Sequence, residues 1–309
     1  MSELLQTFLS RASGALLNLN LDWEEEDLLS GSTNPDLMHP TDPLLRSVLI
    51  KHPSRFRSLK MAWKLPRSYF NHLCTSFTSL VELHIKFVPN DIDKLIPATF
   101  FLQLTSLHLM SVTISVCLTL LSQSPNLMQF HCGYIVRESI SDIMKRPMVM
   151  SEKLEWFDWK SPDAELSDVA VLKRSRFPQL KKLTWDALNT EYEFSQYLSD
   201  FIDFIPSKLI HLELVMKDGC ANSVRRILAS NPQIKKLSLI GSTLDLPPFF
   251  PPFLDCFESL PTVRALYLET DDEAFSDTTK ERLRKLIRDG REVVIRAGEE
   301  LVDLNSEHY

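Results

Sequence analysis

The chain has 309 residues, 44% of them apolar and 24% charged, with a formal net charge of -7. That profile suits a soluble globular protein with a sizeable core, and its acidic balance argues against an extended nucleic-acid surface. The longest mainly apolar stretch, Val112 to Leu121, is too short for a membrane span and is broken by Thr113, Ser115 and Thr119, and Met1 to Arg11 lacks the basic start and apolar run of a signal peptide. A cytoplasmic or nuclear protein is expected, with neither nucleic acid nor membrane as partner.

Taken in chain order, Leu4, Leu5, Phe8 and Leu9 fall at helical spacing and lead into an apolar strand, Leu16-x-x-Leu19-x-Leu21. Asp22 to Pro43 follows, with the acidic run Glu24 to Asp27 and the turn formers Gly31, Ser32, Asn34, Pro35, Pro40 and Pro43, and is expected to be an exposed insertion. The basic stretch Lys51 to Arg67 has Phe56 and Trp63 interleaved. Phe56-x-x-Leu59-x-Met61 repeats the strand pattern, however, so a solvated basic flank is expected there.

The pattern then returns eight times, as Leu80-x-x-Leu83-x-Ile85, Leu104-x-x-Leu107-x-Leu109, Leu127-x-x-Phe130-x-Cys132, Leu154-x-x-Phe157-x-Trp159, Leu180-x-x-Leu183-x-Trp185, Leu209-x-x-Leu212-x-Leu214, Ile234-x-x-Leu237-x-Leu239 and Val263-x-x-Leu266-x-Leu268. The middle residues recur at intervals of 23 to 29 positions, the period of a leucine-rich repeat. Pro125, Pro178, Pro232 and Pro261 each sit five residues before a middle residue, where a residue without an amide hydrogen marks entry into a strand.

Between strands, helices are predicted over Ser115 to Ser122, Asn222 to Ala229 and Glu191 to Ile205, the last opened by a capping box at Thr190 and Glu193 with Phe194, Leu198, Phe201, Ile202 and Ile205 on one face. Leu246 to Phe253, with four prolines, is predicted to be a stiff loop filled by its three phenylalanines. A final helix is expected from Ser276 or Asp277 to a cap at Gly290, then a closing strand over Glu292 to Ala297 and a loose acidic tail over Glu299 to Tyr309. The expected fold is α/β: residues 1–309 as one domain, a single curved leucine-rich-repeat-like solenoid, or horseshoe, of about ten irregular repeats.

Little in the sequence points to catalysis. The seven glycines form no phosphate-binding loop, and nucleophile-elbow and zinc-protease motifs are missing. Cys74, Cys117, Cys132, Cys220 and Cys256 are scattered and odd in number, which fits buried thiols in a reducing compartment better than a disulfide framework or a zinc module. The protein is therefore expected not to be an enzyme and to need no cofactor.

Alternation assigns the fourth and sixth residue of each strand pattern to the core and the third and fifth to the opposite, concave face. The expected binding surface comprises Glu82 and His84, His108, His131, Trp156 and Asp158, Lys182, His211 and Glu213, Lys236, and Tyr267. Ser106, Gln129, Thr184, Ser238 and Ala265 share these positions. His84, His108 and His131 occupy one place on three successive strands, about 4.8 Å apart. A zinc ion would need their nitrogens within about 2.1 Å of one point, so a polar row that leaves room for pH-sensitive binding is expected. A metal-dependent hydrolase using that row is the alternative from a different class.

The repeats lack the asparagine that usually follows the strand of a leucine-rich repeat, its place being taken by Val112, Lys217 and Ser242. The phrases over residues 8–21 and 49–59 resemble the opening of the repeat region in F-box and leucine-rich-repeat proteins expanded in mushroom-forming fungi. That resemblance implies repeats that recruit substrates to a cullin-RING ubiquitin ligase. No leucine-proline opening of an F-box is legible before the first repeat, so binding to the ligase adaptor is expected only if an F-box is supplied elsewhere. The expectation is a protein-protein interaction module with an unidentified protein ligand, or else a free-standing leucine-rich-repeat scaffold.

Overall fold

The computed structural model describes residues 15–21, 53–61, 77–86, 97–136, 138–160, 166–186, 209–215, 221–241, 246–270, 276–297 and 300–301, together with residues 7, 11, 88, 92, 198, 200–202 and 205. Its strands are β1 (Leu17–Leu21), β2 (Phe56–Met61), β3 (Glu82–Ile85), β4 (Ser106–Thr113), β5 (Gln129–Val136), β6 (Val149–Met150), β7 (Trp156–Lys160), β8 (Ser175–Arg176), β9 (Lys182–Asp186), β10 (His211–Val215), β11 (Lys236–Gly241), β12 (Ala265–Thr270), β13 (Glu292–Ala297) and β14 (Glu300–Leu301). Helices α1 (Ala98–Phe101), α2 (Ile114–Gln123), α3 (Ile140–Met144), α4 (Leu166–Arg174), α5 (Ala221–Ser230), α6 (Leu246–Ser259) and α7 (Asp277–Arg288) lie between them.

One sheet of twelve strands runs in chain order from β1 to β14, omitting β6 and β8, which pair with each other in a small second sheet. Every pairing in the large sheet is parallel except the last, β13 with β14. Its register follows the sequence pattern. Leu83 pairs with Leu107, and the row continues through Phe130, Phe157, Leu183, Leu212, Leu237 and Leu266. These side chains and those two residues further on are almost wholly buried, and form one cluster with the apolar residues of the helices. Each such burial contributes roughly 1.5 to 3 kcal/mol, so a slip of one residue would turn the whole row to water. Stacked rings fill the centre of the row, with Phe130 and Phe157 5.7 Å apart and Trp159 and Trp185 5.8 Å apart.

The four spaced prolines act through one turn. In each case the residue before proline accepts a backbone hydrogen bond from the first apolar residue of the next pattern: Leu127 to Ser124, Leu180 to Phe177, Ile234 to Asn231 and Val263 to Leu260. Proline thus sits at the second position of a β-turn, where its fixed φ is favourable. At the far end, Ser276 Oγ accepts from the amide of Thr279 and caps α7, while Gly290, at φ 84°, follows its C-terminus. Only glycine takes that φ without steric cost. Ser111 and Tyr134 both have φ 54° and lie side by side between the pairs Met110 with Gly133 and Val112 with Ile135. They form matching kinks in β4 and β5.

Several expectations need correction. The arrangement is a mixed α/β fold built on a large, mostly parallel sheet, not the curved leucine-rich-repeat horseshoe of about ten repeats expected from the spacing. Eleven parallel strands and an antiparallel edge strand make the sheet, the connecting helices range from 4 to 14 residues, and the β6–β8 sheet interrupts the series. The physical reason is that the apolar pattern encodes only a parallel strand with one covered face. It carries no information about the connections. Val112, where a repeat would place asparagine, remains inside β4 and is fully buried.

Leu246 to Phe253 is not a loop but the start of α6. Pro247 and Pro248 fall in its first turn, where amide hydrogens have no helical partner. Buried Phe253, Leu254 and Phe257 offset the two later prolines. Glu300 and Leu301, assigned to a loose tail, form β14. The Asp22 to Pro43 insertion, the capping box at Thr190 and Glu193 and most of the Met1 to Arg11 helix lie outside the described residues. Within the expected helix to Ile205, Leu198, Phe201, Ile202 and Ile205 are buried as predicted. No helix among the described residues is long and apolar enough to cross a membrane.

Candidate functional site

With one face of the sheet committed to the core, the third and fifth residues of each pattern point the other way. The pairings bring them into two rows. One row runs from Glu82 through Ser106, Gln129, Trp156, Lys182, His211, Lys236 and Ala265 to Glu292, and the other from His84 through His108, His131, Asp158, Thr184, Glu213 and Ser238 to Tyr267. All eleven residues expected to form the binding surface therefore lie on one face. The sheet, rather than a concave horseshoe, supplies it.

The histidines stack. Ring centroids are 5.3 Å apart for His84 and His108 and 5.1 Å for His108 and His131, with the planes 27° and 25° from parallel. Rings that lie over one another do not converge their nitrogens on a point at the 2.1 Å or so that zinc requires. Among the described residues no group of three His, Cys, Asp or Glu side chains is placed to hold a metal ion. The row ends on Asp158, whose Oδ2 lies 2.5 Å from His131 Nδ1. Burial holds His108 below the ordinary imidazole value, and the neighbouring His131 pushes the same way, against the pull of Glu82 and Asp158.

Beyond Asp158 the face becomes a lattice of charge and aromatic contacts. The ammonium of Lys182 sits 4.4 Å from the ring centre of Trp156 and 3.1 Å from Glu213 Oε2. His211 Nε2 is 2.9 Å from Ser238 Oγ and 3.9 Å from Glu213. Burial, then the positive charges of Lys182 and Lys236, pushes His211 down to about 4. Lys236 lies 3.9 Å over the ring of Tyr267, whose hydroxyl donates to Glu292. That hydrogen bond raises the Tyr267 hydroxyl above its ordinary value.

One point differs from the alternation rule. Asp158, expected as an accessible partner-binding group, is buried at 7% exposure, and Thr184, Ser238 and Ser106 are buried with it. Short side chains placed between longer ones on adjacent strands are roofed by them even on an open face. Trp156, by contrast, is 38% exposed. The alternation rule gave Thr184 and Ser238 an outward place without a role, and Glu292, named only as the start of the closing strand, was not placed on this face. Continuing the register into the closing strand would have found Glu292, since it pairs with Ala265.

No family model matches the chain, and no curated protein matches it either. Function is therefore argued from this face.

Proposed function

We propose that this protein is a protein-interaction module that holds a polypeptide partner on the outward face of its sheet. The observation that carries the proposal is Trp156. A large aromatic, 38% exposed, opens β7 on a face that has no part in the core, with a lysine over its ring and Gln129 exposed beside it. Folding gains little from leaving an indole in water, whereas interfaces draw much of their energy from buried aromatics ringed by polar groups. The paired charges around it suit a partner whose own surface is polar and mixed in sign. The resemblance to F-box proteins would make that partner a ubiquitination substrate; it rests on two short phrases.

The test is photocrosslinking from a benzoylphenylalanine placed at Gln129, with the same residue at Ser122, exposed on α2, as the control. A discrete crosslinked protein from position 129 alone is expected, and its loss on Trp156→Ala with an unchanged melting temperature. Equal labelling from both positions would overturn the assignment.

A further inference from the structure

On the outward face, two buried polar atoms among the described residues lack a hydrogen-bond partner, and they are neighbours. They are Asp158 Oδ1 and Thr184 Oγ1, on residues that pair across β7 and β9. Both side chains are more than nine-tenths buried. Leaving a carboxylate oxygen unpaired in such a place is costly.

The surrounding charges define what would satisfy them. Lys182 is engaged by Glu213 and Lys236 lies over Tyr267, while Asp158 has only an imidazole nitrogen on its other oxygen. The missing group is therefore a cationic donor. It must also fit beside Trp156, which pairs with Lys182 in the adjoining row and already carries a cation on its ring. A guanidinium meets both demands: its flat face stacks on indole while its edge still donates in plane, which an ammonium cannot do.

We propose that Trp156, Asp158 and Thr184 form an arginine-binding notch, in which a partner's guanidinium stacks on the indole and donates to Asp158 Oδ1 and Thr184 Oγ1. This rests on the reading of the face as a polypeptide-binding surface. Neither oxygen is open to solvent, so entry requires an outward side chain to swing aside. Lys182 is the one with an alternative already in place, since Glu213 retains its ammonium when it leaves the ring.

The experiment is selection of random dodecapeptides displayed on phage against the whole chain, followed by titration of synthetic copies. The expected peptides share an arginine, and exchanging it for citrulline, which keeps the shape and loses the charge, weakens binding on the order of tenfold or more. Asp158→Asn and Thr184→Val should each weaken the arginine peptide, and Asp158→Asn should weaken the citrulline peptide less, because the ureido group still donates hydrogen bonds but carries no charge. The citrulline exchange uses the unaltered protein, so a poorly folded variant does not blunt the test. Peptides that crosslink at position 129 yet tolerate citrulline would overturn the notch and leave the binding face standing. Arginine-dependent binding that ignores both variants would also overturn the notch. Recovery of no peptide at all would overturn both readings.

Discussion

His211 is an imidazole that gives up its proton early, because burial and the two flanking ammonium groups push it down to about 4 from an ordinary 6.5. Between those values the unfolded chain binds a proton that the folded chain declines, so stability is full above pH 6.5 and falls as the pH drops toward 4, by up to about 3 kcal/mol. His211→Gln should flatten this part of the pH profile in denaturant melts at pH 7, 5 and 4. An unchanged slope would place the acid sensitivity in other groups. The next residue tests the opposite face: Leu212 is wholly buried and Glu213 is not. Leu212→Ala should cost about 2 to 5 kcal/mol, and Glu213→Gln less, because glutamine keeps the shape and an acceptor oxygen for Lys182. Equal losses in calorimetry would show that the strand presents its faces the other way round.

The strands are the elements the sequence made most legible; α2, α5 and α7 also fall where their helices are predicted, and α6 is where the local pattern misleads. Leucine-x-x-leucine-x-leucine contains both the strand and its buried side, so even the pairing of Leu183 with Leu212 follows once the copies are aligned. The helix over Leu246–Ser259 was hidden because the four prolines set among three phenylalanines in Leu246 to Phe253 read locally as a loop, whereas in the fold Phe253, Leu254 and Phe257 bury completely against the core. The burial of Asp158 was hidden for a related reason, since the reach of a neighbour's side chain across strands is not written within the strand itself. Pro251 is exposed and interrupts the hydrogen-bond ladder of α6. Pro251→Ala should restore an amide and stabilise the protein by about 2 kcal/mol, after allowing for a more flexible unfolded chain. A lower melting temperature would mean that the proline shapes a bend the packing requires.

At the scale of the whole molecule, protection should be graded across the sheet. The strands β9 to β11 have paired neighbours on both sides and full burial of their apolar rows, while among the described residues β1 pairs with β2 alone and Leu17 and Leu19 are only partly buried. Native-state hydrogen exchange should therefore open β1 at a lower free energy than β10; equal protection would show a sheet that unfolds only as a unit. The order of the strands has a further consequence during synthesis. Each parallel strand pairs with the parallel strand of the large sheet made just before it, so a growing polypeptide leaving the ribosome adds one strand at a time to a finished edge and never waits for a distant segment. The temporary edge is then always the newest strand, and its exposure lasts only until the next few dozen residues emerge.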